Sequence, residues 1–288
     1  MRDRSLLTCC TLAVALLASA CAHEAPLPPK AVLLNAAGAQ ALARGDLESA
    51  EASLAVAIEY SPRFVEAWVN LGYVELRRGN FDQARRDFLK ARALNRDLPA
   101  PHHGLGVLAE AQGDGPAAEA FYRDALKVDP GFGPARANLA RRLFGRGQYE
   151  NAREQFQRLR EVEPGAAEGW AGEAEALLRL DREAEAEAIV SAGRMHAGDA
   201  PSLLLVLARL RLAAGAWDEA EAILAPLTGI DDRAKAGAAW SWIAVARAGR
   251  GDAPGSLEAA RAALAVDRDD PVARYALALS AGTGTPSR

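Results

Sequence analysis

Residues Trp68 to Ala91 read WVNLGYVELRRGNFDQARRDFLKA. Apolar side chains recur at helical steps before the middle of this stretch (Trp68, Leu71, Val74) and again after it (Ala84, Phe88, Ala91). Between them stands Arg78-Gly79-Asn80. Glycine permits the left-handed backbone that ends a helix, and Asn or Asp can open the next one. The stretch therefore predicts two short amphipathic helices folded into a hairpin.

The same break returns along the chain. Gly45-Asp46, Gly79-Asn80, Gly113-Asp114 and Gly147-Gln148 are spaced by 34 residues, as are Asp181-Arg182 and Gly215-Ala216 after them. Gly251-Asp252 follows after 36, which places a two-residue insertion near Lys235. A fixed period of this size is the mark of a repeat array, in which each hairpin buries its apolar stripe against the next.

In its period and its key positions the array resembles the tetratricopeptide repeat. Counting from Ala31, Val65, Pro99, Gly133, Ala167, Pro201 and Gly237, the small residue at position 20 is Ala50, Ala84, Ala118, Ala152, Ala186, Ala220 and Ser256. Position 24 carries Leu54, Phe88, Tyr122, Phe156, Val190 and Leu224, weakening to Ala260. Position 4 is tryptophan at Trp68, Trp170 and Trp240, and positions 7 and 8 give Leu71-Gly72 and Leu105-Gly106. Pro62, Pro130 and Pro164 stand near position 32.

The resemblance implies an all-α, right-handed superhelical solenoid of seven hairpins: 31–64, 65–98, 99–132, 133–166, 167–200, 201–236 and 237–270. A capping helix is expected over 271–281, started by Asp270 and Pro271, with a disordered tail over 282–288. The fifth hairpin departs most, with Asp181, Gly193 and Gly198 at family positions, and is expected to be looser or differently angled.

The N-terminus reads MRDRSLLTCCTLAVALLASAC. A short basic start, an apolar run from Ser5 to Ala18 and small residues before Cys21 have the layout of an export signal. Ala18-Ser19-Ala20 fits an ordinary cleavage site. Leu17-Ala18-Ser19-Ala20-Cys21 also resembles a bacterial lipobox, with its leucine one place further from the cysteine than usual. Under that resemblance residues 1–20 are removed, Cys21 carries covalent lipid, and Ala22 after it implies sorting to the outer membrane, facing the periplasm. Residues 21–30, with Pro26, Pro28 and Pro29, are expected to form an extended tether of about 3.1 Å per residue.

Chemistry is hard to place on this chain. All three cysteines lie within the first 21 residues, so the remainder can form no disulfide and no cysteine metal site. Phosphate-loop, nucleophile-elbow and helical zinc motifs are missing. His102 and His103 are adjacent, about 100° apart on a helix, and cannot chelate one ion. A net charge of −4 argues against a nucleic-acid partner. The expectation is no catalytic residue, no metal, no cofactor beyond the lipid and no small-molecule substrate.

Function must then come from a surface. In the resembling family the first helices of successive hairpins line a groove. Here that face supplies Asn70, Tyr73, Leu76 and Arg77, then His103, Val107 and Glu110. It continues with Asn138, Arg141 and Phe144, then Leu178 and Arg179, then Leu205, Arg209 and Leu212, and ends at Trp242. Aromatic, aliphatic, Asn and Arg side chains together suit an extended or helical peptide of a protein partner. Leu76, Leu178 and Leu212 could equally pack between helices. Changes at Arg85 and Arg153, on the convex side of the second helices, are expected to be nearly silent for partner capture. In layout the chain is similar to the pilotin lipoproteins of type IV pilus machines, and to the lipoprotein of tight-adherence pilus systems. That similarity implies an assembly factor for an outer-membrane secretin. An adaptor for peptidoglycan hydrolase or synthase complexes, or for a motility or polysaccharide-export machine, is the alternative.

Overall fold

A computed structural model describes residues 26–280. Among these residues there are helices and turns and no strand. The chain divides into two compact units at Arg96–Asp97.

The first unit holds two hairpins: α1 (Pro29–Arg44) with α2 (Leu47–Tyr60), and α3 (Val65–Arg78) with α4 (Phe81–Leu94). At the turn of the second, Gly79 has φ 80° and the Asn80 N–H reaches back 2.9 Å to the Glu75 carbonyl, closing the end of α3. Asp46 caps α2 by accepting from the Ser49 N–H at 3.1 Å. Asn80 does not cap α4: its amide donates instead to the buried Glu75 carboxylate at 2.7 Å. The core of this unit forms around Ala50, Leu54, Phe64, Ala67 and Val74.

The second unit continues the pattern. Its hairpins are α5 (Pro99–Ala111) with α6 (Gly115–Val128), α7 (Gly133–Gly145) with α8 (Tyr149–Val162), and α9 (Ala167–Arg179) with α10 (Glu183–Ala197). Two more follow: α11 (Pro201–Ala213) with α12 (Trp217–Leu224), and α13 (Arg233–Gly249) with α14 (Ala253–Val266). The closing helix α15 (Pro271–Ser280) is capped by Asp270, whose Oδ1 accepts from the N–H groups of Val272 and Ala273 at 2.8 and 2.9 Å. Ala118, Ala152, Ala186 and Ala220, the small residues of the hairpin crossings, are fully buried.

Three details refine the expected pattern. The tether ends earlier than residue 30, because α1 starts at Pro29. Proline suits the first helical position, where its missing N–H has no partner to lose. The insertion near Lys235 lengthens α13, which opens at Arg233 under an Asp232 cap, while Pro226 ends α12 early in a 3₁₀ turn at Ala225–Gly229. Finally, the odd residues of the fifth hairpin have uses. Asp181 adopts φ 56°, supplying the left-handed turn that glycine supplies elsewhere. At Gly193 a Cβ would lie 2.8 Å from that of Trp170, so the missing side chain lets the tryptophan in.

One core group makes the first unit sensitive to pH. Asp87 on α4 is 1 % exposed; its Oδ1 accepts from the Gln83 amide at 2.8 Å, and its Oδ2 is buried without a hydrogen bond. Burial pushes its carboxyl up to about 6, with Glu75 adding repulsion. The native state then holds the proton more tightly than the unfolded chain. The associated stability is present below about pH 4 and is lost as pH rises through about 6. Asp87→Asn is expected to raise the unfolding midpoint at pH 7.5 and to flatten its decline between pH 4 and 7, as followed by circular dichroism. An unchanged pH profile would refute the assignment.

Candidate functional site

Consecutive first helices touch within each unit, α1 with α3 in the first and α7, α9, α11 and α13 in series in the second. Residues of equivalent position therefore meet. In the first unit the Asn70 amide donates to Asn35 Oδ1 at 2.9 Å, and the Arg77 guanidinium donates to the Leu42 carbonyl near the end of α1. Tyr73 is half-buried, with its ring edge-on to Phe88 at 5.1 Å. Burial pushes its hydroxyl well above the usual range. Asn70, Tyr73 and Arg77 thus do structural work between and within hairpins.

In the second unit His103, Asn138 and Arg141 form one chain. The Arg141 guanidinium, which can only donate, bonds Asn138 Oδ1, so the Asn138 amide turns to His103 Nε2 at 3.0 Å. Nε2 must accept, which requires a neutral imidazole carrying its proton on Nδ1. Burial, with repulsion from Arg141, holds His103 down to about 4, in keeping with that role. The imidazole sits 5.7 Å from the Tyr122 ring and 5.6 Å from Phe132. Val107 and Phe144 pack against the core beneath, and Leu212 belongs to the core at 7 % exposure. Arg179 lies over the Phe144 and Tyr149 rings at 5.9 and 5.4 Å.

Beyond Arg141 the face opens into a cleft of about 540 Å³. Arg141 and Glu168 stand at one side with 3.5 Å between them. Arg209 pairs with Glu175, and its guanidinium lies 5.1 Å over the Trp242 ring. Leu205 and Val206 form an apolar wall. The floor descends to Phe156 because residue 172 is glycine: a Cβ there would come within 2.4 Å of that ring.

Of the residues named from sequence, Arg141, Leu205, Arg209 and Trp242 line this cleft, while His103, Val107, Asn138, Phe144 and Arg179 lie outside its lining. Asn70, Tyr73 and Arg77 belong to the other unit. Sequence reasoning passed over Glu168, Glu175 and Lys235. A signal existed: position 9 of three successive hairpins alternates in charge as Arg141, Glu175, Arg209.

A set of acids on second helices, of which Glu119 is buried, was also passed over. Arg78 pairs with Glu51, Arg146 with Glu119 and Arg250 with Glu221, at 2.7, 2.7 and 2.9 Å, each joining the C-terminal end of a first helix to the second helix of the preceding hairpin. Burial alone would raise the Glu119 carboxyl, but Arg146 and Arg123 hold it below the usual range. Arg153, on the second helix α8, takes part in this packing. Its side chain is largely covered, pairing with Glu150 at 2.6 Å and lying 3.9 Å from the buried Glu173. Among the described residues no His, Cys, Asp and Glu group could hold a metal ion, and no helix is long and apolar enough to cross a membrane. Cys21 and the export signal lie outside the described residues.

These features define a class: stacked helical hairpins presenting a cleft on their first helices. Tetratricopeptide-repeat models match residues 64–131, 109–172 and 143–203, so the repeats in this part of the chain are of that type. A tetratricopeptide-repeat protein from Parabacteroides merdae is 18 % identical, covers 88 % of this chain and all of its own, and superposes with a TM-score of 0.62. Pseudomonas aeruginosa pilF is 17 % identical over 73 % of this chain and 95 % of its own, with a TM-score of 0.59. The C-terminal part of a repeat protein from Cytophaga hutchinsonii is 13 % identical over 83 % and 98 %, with a TM-score of 0.54. No curated protein matches in sequence. At these identities the structural likenesses establish the fold. Tetratricopeptide repeats are in general non-catalytic scaffolds for protein–protein contact.

Proposed function

We propose that the chain is a lipid-anchored scaffold that holds a protein partner in the second unit's cleft and assists assembly of an envelope machine such as a type IV pilus secretin. The observation that carries the reading is the cleft itself. It combines an apolar floor with oriented Arg and Glu side chains. The arrangement of residues 1–21 supports the anchor: diacylation or more at Cys21 would hold the protein stably on the outer membrane. The likeness in fold to Pseudomonas aeruginosa pilF supports, at the level of architecture, the pilus reading over the peptidoglycan-adaptor one.

Cys21→Ser is expected to abolish labelling by an alkyne fatty acid and to release the protein from the outer-membrane fraction; a mature wild-type protein without label would remove the anchor from the proposal. A photo-crosslinker at Leu205 is expected to trap a secretin or pilus subunit, and one at the exposed Glu154 of α8 is not. Cell-wall hydrolases trapped at Leu205 would instead establish the adaptor reading.

A further inference from the structure

The cleft's three cations differ in how firmly they are held. Arg209 is fixed twice, by Glu175 and by the Trp242 ring. Lys235 is engaged by Asp232 within its own helix turn. Arg141 is 61 % exposed in its side chain, and its only carboxylate neighbour in the cleft, Glu168, is 48 % exposed and 3.5 Å away. An exposed pair of this kind contributes about 0–1 kcal/mol, so an incoming carboxylate can replace Glu168 at little cost. Arg141 is nevertheless already oriented, because Asn138 accepts from it and is itself held by His103. Orientation before binding reduces the entropy that binding must spend. The lining charges, Arg141, Arg209 and Lys235 against Glu168 and Glu175, leave one positive charge in excess.

Resting on the scaffold reading above, the geometry points to an extended peptide segment carrying an internal Asp or Glu beside a large apolar residue as the occupant of this cleft. The acidic side chain binds Arg141 in place of Glu168. The apolar side chain lies between Leu205, Val206 and Trp242, over the Phe156 ring that fills the space beside Gly172. An internal acid fits better than a chain terminus. A terminal carboxylate wants several donors converging on one point, and here Arg209 and Lys235 are engaged by Glu175 and Asp232. Arg141 sets the charge preference, and Leu205, Val206 and Trp242 set the room for the neighbouring apolar residue.

The test uses the full-length chain and random twelve-residue peptides on phage, followed by fluorescence anisotropy with selected peptides acetylated and amidated at their ends. The expected consensus is an acid adjacent to an aliphatic or aromatic residue. Changing that acid to its amide should weaken binding about tenfold, as should Arg141→Gln. Glu168→Gln should strengthen binding several-fold, because it removes the competing carboxylate. A purely structural ion pair would move both protein variants in the same direction, which would overturn the inference. Because Glu168 is exposed, its variant keeps the test decisive if Arg141→Gln folds poorly. A neutral or basic consensus, or binding lost on amidation of the peptide terminus, would overturn this inference while leaving the scaffold reading in place. Failure to select any peptide would overturn both.

Discussion

Replacing Trp170 with alanine is expected to lower the unfolding free energy by about 3–5 kcal/mol, near the top of the range for a single core truncation. Trp170 is 5 % exposed, and its indole N–H donates to the Pro164 carbonyl at 2.9 Å. The Arg160 guanidinium lies 4.7 Å over the ring, and the His196 imidazole is stacked on it at 5.2 Å and 9°. Gly193 on α10 gives up its own side chain to admit it. Removing the indole would leave a void that helix α10 cannot close without shifting, would take the hydrogen bond from the Pro164 carbonyl, and would strip the ring from beneath the Arg160 guanidinium, which keeps its pairing with Glu173. Trp68 occupies the equivalent position and makes the equivalent bond, to the Pro62 carbonyl at 3.0 Å, but it is only half-buried. Trp68→Ala should therefore cost less. Urea denaturation monitored by circular dichroism would rank the two. A larger loss from Trp68 would mean that burial is not what sets the cost at this position.

That comparison shows how far the sequence could be read. The register was legible because a turn residue and two packing residues recur at a fixed interval, and seven copies leave no second alignment. Even Asp181, where the glycine is replaced, falls in its place with φ 56°. Burial within the register was not legible. Trp68 and Trp170 look alike in sequence, yet they differ because only the second faces a glycine on the neighbouring helix. The site was legible as a face and not as a set of residues. Arg77, Asn70 and His103 lie on the first helices as expected, but their polar atoms bond the preceding or following hairpin. Which polar residue is spent on the next repeat and which remains for a partner depends on pairs 34 or 35 residues apart. Such pairs can be read only across repeats, as with Arg209 and Glu175.

A size rule between the two helices of a hairpin follows from the same contacts, and Gly106 tests it. Gly106 on α5 faces Tyr122 on α6, where a Cβ would lie 2.5 Å from the ring; Gly72 faces Phe88 in the same way at 2.6 Å. The Tyr122 ring is fully buried and pinned at its far end, where the hydroxyl donates to Glu110 at 2.7 Å. It cannot swing aside. In the fifth hairpin the corresponding pair is Ala174 with Val190, both fully buried, so alanine fits there opposite a smaller partner. Gly106→Ala should therefore destabilise the protein. Overpacking costs about 1–3 kcal/mol, against a gain of about 1 kcal/mol from alanine's better helix propensity. Tyr122→Val alone should also destabilise, through the lost ring. In that background Gly106→Ala should change sign and become neutral or stabilising, because the clash is gone and the propensity gain remains. A double-mutant cycle by urea denaturation measures this directly, with an expected coupling of at least about 1 kcal/mol. If Gly106→Ala cost the same in both backgrounds, the glycine would be there for its backbone and not for the ring across from it.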